Sequence, residues 1–591
     1  MKNNVIMKRI LFAAALGTCS AYGDIQIFEV DSVAALTNAI DLANPSPSDA
    51  GAAYDVIRLK AGVTFDLSTL SEYTSPDGTW GTMGAPSGNS NGKSCLWYKK
   101  KIHFEGEDAT HWKAKTPGQE SVLYGGNAAR IIYPFGTWDG ACSTFKHIVF
   151  ANGKAESGKN GGGLFSLGPS IHSPTSGNQS KMGFVTNCVF RSCSAYNGGG
   201  SYSYNVYDSS FETCSAANYG GGAYGTGSSN YAGIATNRFD TCVFSGCTAG
   251  NGGGIYHNES SVIEGALAGY IAHCAFTNCT SSSGGGGVCL RVGGLVSDCQ
   301  FVTNTCTGNN GGAICVEDNY RGTVVDCKFT DNFHTDQNWG RGGACMNVDC
   351  ARCTFSGRGD LCGGSFDRCI FDGVRDVQIF RTASAEPTVY ATNCLIANCS
   401  AIYLGYTGVA AGGMEFVNCT FADNTIGVAN TDYTNAQGED DSLACMFYCN
   451  RGTVALKNCI FSGNKRKKAG AKTYYDSDLR LYANTDNGAT IQISNSLFTK
   501  AESVSDYDWA EGANTLVQGN PRFVAGDAAY PGLPYYSILR KSLARNAGVN
   551  AAWMTGAVDL AGNQRIFDEV VDIGCYECHI IHPPRFIVIV R

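Results

Sequence analysis

Residues Asn187 to Gly200 read NCVFRSCSAYNGGG, and this pattern decides the fold because it returns along the chain. The next copies read FETCSAANYGGG from Phe211 and CVFSGCTAGNGGG from Cys242. Each copy carries an aromatic residue, a cysteine after it and a run of glycines, in the same order. A unit this short cannot bury its own apolar face, so it must stack on copies of itself.

The recurring cysteine and aromatic residue predict the core. They lie two positions apart, so on a strand they point to the same side, whereas the residue between them is variable and often polar. This is strand periodicity rather than helix periodicity. We therefore expect an inward-facing ladder along the stacked coils. Its members are Cys188, Phe190, Cys242, Phe244, Cys274, Phe276, Cys299, Phe301, Cys327, Phe329, Cys353 and Phe355.

The glycine runs predict how the coils turn. Glycine supplies positive φ at a tight turn and lets neighbouring backbones approach closely. Coils stacked about 4.8 Å apart form a single-stranded parallel β-helix, an all-β solenoid, and the recurring phenylalanine position predicts about thirteen of them. Loops of unequal length leave the corners, and we expect ligand specificity to lie in those loops.

The composition agrees with strands and turns. The chain has 75 Gly but only 14 Pro and no Gly-X-Y period, which excludes collagen, and 43% hydrophobic residues exclude a disordered chain. Charged residues make up only 16%, and the net charge is −8. This charge gives no electrostatic reason to expect a nucleic acid or an anionic membrane surface as partner.

The N-terminus predicts export. Lys8 and Arg9 are basic, residues 10–16 are apolar, and small residues follow at Ala21 and Gly23. This order is typical of a signal peptide, here residues 1–23, so we expect a protein that is secreted or displayed at a bacterial cell surface. We also expect the protein to be a monomer. No later segment has 18 consecutive apolar residues, and no transmembrane helix is expected.

The cysteines leave two chemical states open. There are 28, and removal of Cys19 with the signal peptide leaves an odd number. In-register parallel strands hold Cβ atoms about 4.8 Å apart, beyond the usual 3.5–4.5 Å of a disulfide, so we favour buried thiols over extensive pairing. The pairs Cys350 with Cys353 and Cys575 with Cys578 have zinc or redox spacing, but neither has a convincing second pair.

Two resemblances to known families follow from these motifs. The repeat Phe-x-x-[Cys/Asn]-x-Ala-x-x-Gly-Gly-x-Ile resembles that of the polymorphic outer membrane proteins, and it is clearest at 190–202, 211–224, 244–256 and 301–315. The resemblance implies a surface adhesin on a right-handed parallel β-helix. The C-terminal segment resembles the choice-of-anchor Q region of secreted β-helix proteins. The matching residues are 520–523, 536–548, 559–562, Arg565 and 571–577.

These observations predict five segments. They are a signal peptide (1–23), an N-terminal cap with the first coils (24–145), the β-helix repeats (146–500), a C-terminal capping region (514–578) and a short tail (579–591). On physical grounds we expect residues 520–577 to cover the last coil, whose open edge would otherwise template aggregation.

Candidate catalytic and metal-binding residues are sparse. β-Helix enzymes that cleave polysaccharides combine acidic residues, sometimes with Ca²⁺, and a basic residue that abstracts a proton. The local candidates are Arg321, Asp326 and Asp318, with Glu317, Asp349, Arg352, Arg358 and Asp360 near them in sequence. Glu439, Asp440 and Asp441 could collect Ca²⁺ on a loop. In every case a solvated strand face or turn is the more ordinary interpretation, so we expect no cofactor.

The function prediction follows from the regular core and the lack of a catalytic constellation. Tyr202, Tyr224 and Tyr256 recur after the glycines, and a structural stack fits them better than a binding strip. We expect a non-catalytic adhesin or glycan-contacting protein whose partner is an extracellular glycan or cell-surface ligand. The alternative is a polysaccharide lyase or glycoside hydrolase acting on an extracellular acidic polysaccharide.

Overall fold

A computed structural model describes most of the chain. The described residues are 7–8, 25–43, 54–86, 90–100, 102–109, 112–114, 116, 118–135, 143–166, 183–226, 237–258, 270–308, 310–317, 320–335, 342–382, 388–408, 412–427, 445–467, 474–476, 481–499, 510–511, 517–524 and 532–579. The predicted signal peptide, apart from residues 7–8, and the tail beyond His579 lie outside them. The chain divides into two compact units. Unit 1 comprises residues 1–323 and 332–336, and unit 2 comprises residues 324–331 and 337–591.

The repeats of unit 1 from Phe184 onward visit four sheets in turn. The strand Phe184–Thr186 belongs to sheet 1, Val189–Arg191 to sheet 2, Ser194–Asn197 to sheet 4 and Ser201–Tyr202 to sheet 3, before the chain returns to sheet 1 at Asn205–Tyr207. Strands one repeat apart pair in parallel and in register. For example, Phe190 pairs with Phe211, and Phe211 pairs with Phe244. Unit 1 is therefore a parallel β-helix, which confirms the fold class that the repeat predicts.

The strands of unit 1 are grouped by sheet. Sheet 1 contains Met7–Lys8, Ile27–Val30, Asp55–Leu59, Ile102–Gly106, Thr144–Lys146, Phe184–Thr186, Asn205–Tyr207, Arg238–Asp240, Tyr270–Ala272 and Leu295–Ser297. Sheet 2 contains Thr64–Asp66, Ser121–Tyr124, Ile148–Ala151, Val189–Arg191, Ser210–Glu212, Val243–Ser245, Ala275–Thr277 and Gln300–Val302. Sheet 3 contains Tyr73–Thr74, Trp80–Gly84, Ser94–Tyr98, Arg130–Pro134, Leu164–Phe165, Ser201–Tyr202, Ala223–Thr226, Ile255–Asn258, Val288–Leu290 and Ile314–Val316. Sheet 4 contains Ser194–Asn197, Ser215–Tyr219, Thr248–Asn251, Thr280–Gly284, Thr305–Cys306 and Phe333–His334.

A helix lies near the start of unit 1. It spans Val33–Leu42, and the Ser32 side chain caps it by accepting a hydrogen bond from the backbone N–H of Ala35 at 3.2 Å. Its buried residues include Leu36, Ala39 and Ile40. Short 3₁₀ helices lie at Leu67–Thr69, Trp112–Ala114, Thr485–Asn487 and Ala552–Met554, the last two in unit 2.

Unit 2 is also built from stacked parallel strands. Sheet 5 contains Val348–Ala351, Gly364–Asp367, Thr388–Thr392, Gly413–Val417, Thr453–Lys457, Thr490–Ser494 and Ala510–Glu511. Sheet 6 contains Lys328–Thr330, Thr354–Gly357, the start of Ile370–Arg381, Leu395–Ala397, Thr420–Ala422, Ile460–Ser462, Leu497–Phe498 and Val517–Gln518. Sheet 7 contains Cys345–Met346, Leu361–Cys362, the end of Ile370–Arg381, Ser400–Thr407, Thr425–Ile426, Phe447–Cys449, Lys465–Lys467, Tyr474–Asp476 and Leu481–Ala483. The strand Gly322–Val325 contains the division between the two units.

The phenylalanine positions of the repeat form ring stacks inside the coils. In unit 1, Phe190 and Phe211 are stacked with centroids 4.7 Å apart and planes 6° apart, and Phe276 and Phe301 are stacked at 4.8 Å. In unit 2, Phe329 and Phe355 are stacked at 4.8 Å. The spacing follows the distance between neighbouring parallel strands, so each ring packs on its copies one coil away.

The cysteines of the predicted ladder lie at the corners and not within the strands. Asn187, directly before Cys188, has φ of +55°, and this left-handed residue turns the chain from sheet 1 into sheet 2. Cys188 is fully buried at that corner, and Phe190 is buried within the strand that follows. Both side chains face the interior, as expected, but a turn separates the cysteine from the strand because only the left-handed conformation folds the coil this tightly.

The described residues of the C-terminal segment, 520–524 and 532–578, pack on the side of the coils. Sequence reasoning places it over the last coil. In the structure, Tyr536, Ile538, Ala544 and Ile573 belong to two buried apolar clusters with outward-facing residues of sheet 6. Those residues are Leu395, Ala397, Ala422, Ile460 and Leu497, and they come from four successive strands. Apolar side chains on the outer face of sheet 6 need cover from water, and the segment provides it.

Candidate functional site

The predicted catalytic residues do not form a site in the structure. Arg321 belongs to unit 1 and Asp326 to unit 2. Asp326 accepts two hydrogen bonds from the guanidinium of Arg352, at 2.7 Å to Nε and 2.5 Å to Nη2. This is a bidentate ion pair between corner residues of successive coils, which accounts for both charges structurally. Asp318 lies outside the described residues.

The other acidic candidates of unit 2 support the backbone. Asp349 accepts hydrogen bonds from the backbone N–H and the hydroxyl of Ser365, at 2.9 and 2.7 Å. Asp360 is buried and accepts from the N–H of Gly343. Arg358 donates its own backbone N–H to Asp331 at 3.0 Å. These groups hold neighbouring coils together. Glu439, Asp440 and Asp441 lie outside the described residues.

Glu317 of unit 1 is held by three neighbours. Its carboxylate accepts from Asn251 Nδ2 at 3.0 Å, from the Tyr256 hydroxyl at 2.9 Å and from the Cys289 thiol at 3.6 Å. Burial raises the pKa of Tyr256, and the Glu317 charge adds to the effect. The carboxylate therefore fastens the end of the tyrosine stack and is not presented to solvent as a free acid or base.

Tyr202, Tyr224 and Tyr256 follow one another on the outer face of sheet 3. Tyr202 and Tyr224 are stacked with centroids 4.6 Å apart and planes 1° apart, and Tyr224 and Tyr256 are stacked at 5.6 Å. Tyr224 and Tyr256 are only 6% and 3% exposed. Tyr219 from sheet 4 covers Tyr256 at 4.3 Å. This burial fits the structural stack better than a binding surface.

The outer face of sheet 1 carries a different arrangement, which we call the sheet 1 strip. It lies on the neighbouring strands Phe184–Thr186, Asn205–Tyr207, Arg238–Asp240 and Tyr270–Ala272, and it includes the corner residue that follows the last of them. Val185, Val206, Phe239 and Ile271 point inward and are fully buried, so their sequence neighbours point outward. The strip consists of Phe184, Tyr207, Arg238, Asp240, Tyr270 and His273.

Three aromatic rings lie on the strip. Phe184 is 42% exposed and stacks on Tyr207 with centroids 6.3 Å apart and planes 23° apart. The Arg238 guanidinium lies 5.6 Å from the centre of the Tyr270 ring, a cation–π distance. Burial raises the pKa of Tyr207, which keeps its phenol protonated. The strip therefore presents ring faces, phenols and a guanidinium on a regular sheet surface.

The charged end of the strip contains an imidazole and a carboxylate in contact. His273 Nδ1 lies 2.8 Å from Asp240 Oδ1, and the Thr241 hydroxyl donates to the same oxygen at 3.1 Å. The hydrogen bond to Asp240 raises the pKa of His273 above its ordinary value. It also fixes the ring so that Nε2 is directed away from the carboxylate.

Sequence reasoning overlooked the strip because it follows the inward positions of the repeat. The outward residues stand on either side of Val206, Phe239 and Ile271, and they share no residue type from one coil to the next. The sequence does show that these residues alternate with buried ones. The register was needed to show that Phe184, Tyr207 and Tyr270 fall on one face within four successive strands.

Neither a metal-binding group nor a membrane-spanning helix is present in the described part of the chain. Within it, no group of three or more histidine, cysteine, aspartate or glutamate side chains is placed to hold a metal ion. None of the helices found there has the length and apolar character needed to cross a bilayer.

The fold has distant counterparts among solved structures. Pectate lyase Pel9A matches with 14% identity over 92% of this chain and 90% of its own, at a TM-score of 0.25. A mannuronic acid specific polysaccharide family 6 lyase from human gut microbiota matches with 10% identity over 82% and 83%, at 0.24. Tailspike protein 3 of bacteriophage CBA120 matches with 10% identity over 90% and 67%, at 0.29. No family model and no curated protein matches. Identities and TM-scores this low assign neither activity nor ligand to this chain.

Proposed function

We propose that this protein is exported and binds an extracellular glycan, without catalysis, through the sheet 1 strip. The observation that carries the proposal is the set of outward-facing rings on sheet 1, the exposed Phe184 and the half-buried Tyr207 and Tyr270, beside Arg238 and Asp240. Sugar rings carry an apolar face of C–H groups and a rim of hydroxyls. Ring faces with charged hydrogen-bonding groups between them complement both features.

The packing within the strip supports this proposal. The rings of the core stack and of the tyrosine stack are buried, and their contacts account for them. Phe184 is exposed on a strand of a solvent-facing sheet, where a polar residue would serve the fold equally well. The strip spans four coils, so several sugar units of an extended chain could contact it together.

Export and the adhesin type belong to the same proposal. The signal-like residues 1–23 support secretion or surface display. The repeat that resembles the polymorphic outer membrane proteins, and the C-terminal segment that resembles a choice-of-anchor Q region, support an adhesive role at a bacterial surface. Cell fractionation of a strain expressing the full chain tests the location, and a protein retained in the cytoplasm would contradict it.

Binding to a glycan array tests the function directly. The mature chain, residues 24–591, is applied to neutral and acidic saccharides, and the best ligand is then measured with Tyr207→Ala and Tyr270→Ala. We expect each substitution to weaken binding about tenfold or more, because each removes a ring face from the contact. Tyr390→Ala is the matched control, since Tyr390 is 49% exposed on a strand of sheet 5 and has no ring neighbour among the described residues. No binding to any saccharide, or equal binding by all three variants, would contradict the proposal.

One observation favours the enzymatic alternative. His273 is held by Asp240 through Nδ1, and its Nε2 has no hydrogen-bond partner within the described residues, so the ring could accept a proton from a bound uronate. A lyase would release unsaturated sugars, which absorb in the ultraviolet. Appearance of this absorbance with an acidic polysaccharide, and its loss in His273→Gln, would replace binding by catalysis as the function of the strip.

A further inference from the structure

The C-terminal segment is joined to the coils of unit 2 by few polar contacts. Cys575 donates its backbone N–H to the Thr420 hydroxyl at 3.1 Å, and Gly574 donates to the carbonyl of Asn458 at 2.9 Å. The Tyr536 hydroxyl donates to Asp423 at 2.9 Å. The Asn458 side chain also exchanges two hydrogen bonds with the backbone of Val549, both at 3.0 Å, and the apolar contact with sheet 6 adds to these polar contacts. Such an attachment can open while the coils keep their own strand pairing.

A buried cluster of charged groups lies inside this segment. Arg565 is fully buried, and its Nε lies 3.4 Å from Glu577 Oε1. The guanidinium also donates to the backbone carbonyl of Asp572 at 3.1 Å and to that of Gly574. Glu577 in turn accepts from the N–H of Asp572, at 3.0 Å to one oxygen and 3.2 Å to the other.

Two further carboxyl groups complete the cluster. Asp572 is 1% exposed and accepts from the N–H groups of Asn546 and Cys578, both at 2.6 Å. Asp559 is fully buried and accepts from the N–H of Glu577 at 2.9 Å and from that of Asn563 at 2.7 Å. Three buried carboxyl groups therefore share one buried guanidinium.

The other ionisable groups around Glu577 do not correct this imbalance. The Cys575 thiol stays neutral, since burial raises its pKa to about 12, and the Cys419 thiol of the adjoining coil also faces Arg565. The positive charge of Arg545 favours the ionised form of Asp572, but the Arg545 guanidinium forms its ion pair with the exposed Asp568. If every carboxyl were ionised, the cluster would bury two uncompensated negative charges, which is strongly unfavourable.

We infer that the C-terminal segment is a pH-sensitive latch, which docks on sheet 6 with its carboxyl cluster partly protonated and is released as the pH rises, while the coils remain folded. Release would bare the outward apolar residues of sheet 6. The attachment of the segment would then follow the acidity of the medium.

The direction of the pH effect follows from proton linkage. Burial raises the pKa of Glu577 from 4.5 to about 8, and burial also raises that of Asp572. Gly574 and Cys575, beside the cluster, are held by the coils, so release opens the cluster to water, and the docked segment holds a proton that the released segment gives up. Docking is strongest below about pH 4.5 and weakens as the pH rises to about 8, by at most tenfold per pH unit for one proton.

Thiol labelling tests the latch in the full chain. Cys575 and Cys578 lie in the interface and are 0% and 5% exposed, whereas Cys394 lies inside the coils. Labelling by a maleimide, mapped by mass spectrometry, is followed at pH 5 and pH 8.5 for the natural chain and for Glu577→Gln. The glutamine keeps the shape and an acceptor oxygen but cannot ionise, and comparison at one pH removes the direct effect of pH on thiol reactivity.

The expected result is a change confined to the interface thiols. At pH 5 the natural chain and Glu577→Gln label at equal rates, and at pH 8.5 Cys575 and Cys578 label more than about tenfold faster in the natural chain. Glu569→Gln, which removes an exposed carboxyl of the same segment, behaves like the natural chain. Equal labelling of the natural chain and Glu577→Gln at both pH values would overturn the inference. So would simultaneous labelling of Cys394, because the coils would then be opening as well.

Discussion

At the residue scale, the cysteines act as hydrogen-bond donors at the corners of the coils. The thiol of Cys242 donates to the carbonyl of Asp240 at 3.3 Å and to that of Val206, one coil away, at 3.5 Å. Ser209 occupies the same corner of another coil and donates to the carbonyl of Tyr207 at 2.7 Å. The backbone carbonyl directly before each left-handed corner residue is buried and needs a hydrogen-bond donor. A small side chain with a thiol or hydroxyl hydrogen provides it.

This role predicts the order of two substitutions at Cys242. Cys242→Ser keeps a donor. Cys242→Ala removes the thiol donor to both carbonyls, of which that of Asp240 still accepts from the backbone N–H of Asp208 at 3.0 Å, and it also removes the packing of the sulfur. We expect the alanine variant to lose about 1–3 kcal/mol of unfolding free energy and the serine variant less. Urea unfolding of both variants measures the difference. A serine variant less stable than the alanine variant would show that burying the hydroxyl costs more free energy than its hydrogen bonds return.

The contact between His273 and Asp240 predicts a shifted titration. Because the hydrogen bond to Asp240 raises the pKa of His273, the protonated imidazole is favoured in the folded state, and its contribution to stability is lost as the pH rises through that pKa. We expect the NMR titration of His273 to midpoint above that of a free histidine and to return towards it in Asp240→Asn. An unchanged midpoint in that variant would show that Asp240 does not raise the pKa of His273.

At the element scale, the glycine corner decides how closely the coils stack. A Cβ on Gly221 would lie 2.3 Å from the carbonyl oxygen of Gly253 in the next coil and 2.4 Å from that of Thr248. Both are backbone atoms held by strand pairing, so they cannot move aside singly. This close approach explains why glycine recurs at this position in each repeat.

The same geometry predicts unequal effects of two alanine substitutions. Gly221→Ala forces neighbouring coils apart, and we expect a loss of several kcal/mol or failure to fold. Gly284 lies at the end of a strand of sheet 4. The nearest atom to a new Cβ there is the Cys315 sulfur at 3.3 Å, which belongs to a side chain that can shift. Gly284→Ala should therefore cost about 1 kcal/mol or less. Thermal unfolding compares them, and equal losses would contradict the close-approach argument.

At the scale of the whole molecule, the cysteines in the described part of the chain are buried thiols. The corner geometry supplies the reason at the repeat positions, because a corner thiol such as that of Cys274 is directed to backbone carbonyls of its own and the preceding coil. Burial of this kind also restricts access of oxidants.

Thiol counting checks this for the purified protein. We expect a maleimide to modify nearly every cysteine in denaturant and almost none in native buffer near pH 5. A count close to zero in denaturant would mean that the cysteines form disulfides, and the corner hydrogen bonds described here would not exist.

The repeat alone determined the coil. The periodic cysteine, phenylalanine and glycine positions predict stacked parallel strands and an inward-facing ladder, since burial acts on every copy of the same residue in the same way. The residues expected to be catalytic were chosen by charge and nearness in sequence. In the structure, Asp326 accepts hydrogen bonds from the Arg352 side chain, whereas Asp349 and Asp360 accept from backbone N–H groups.

Only the tertiary structure decided the surface. The strip around Tyr207 and His273 brings together side chains from successive coils with unequal loops between them, and register alone aligns them. The docking of residues 520–578 on sheet 6 likewise depends on apolar residues that face outward in four different coils. Local sequence sets which way a side chain points from its strand, but which distant side chain lies beside it depends on the closed length of each coil.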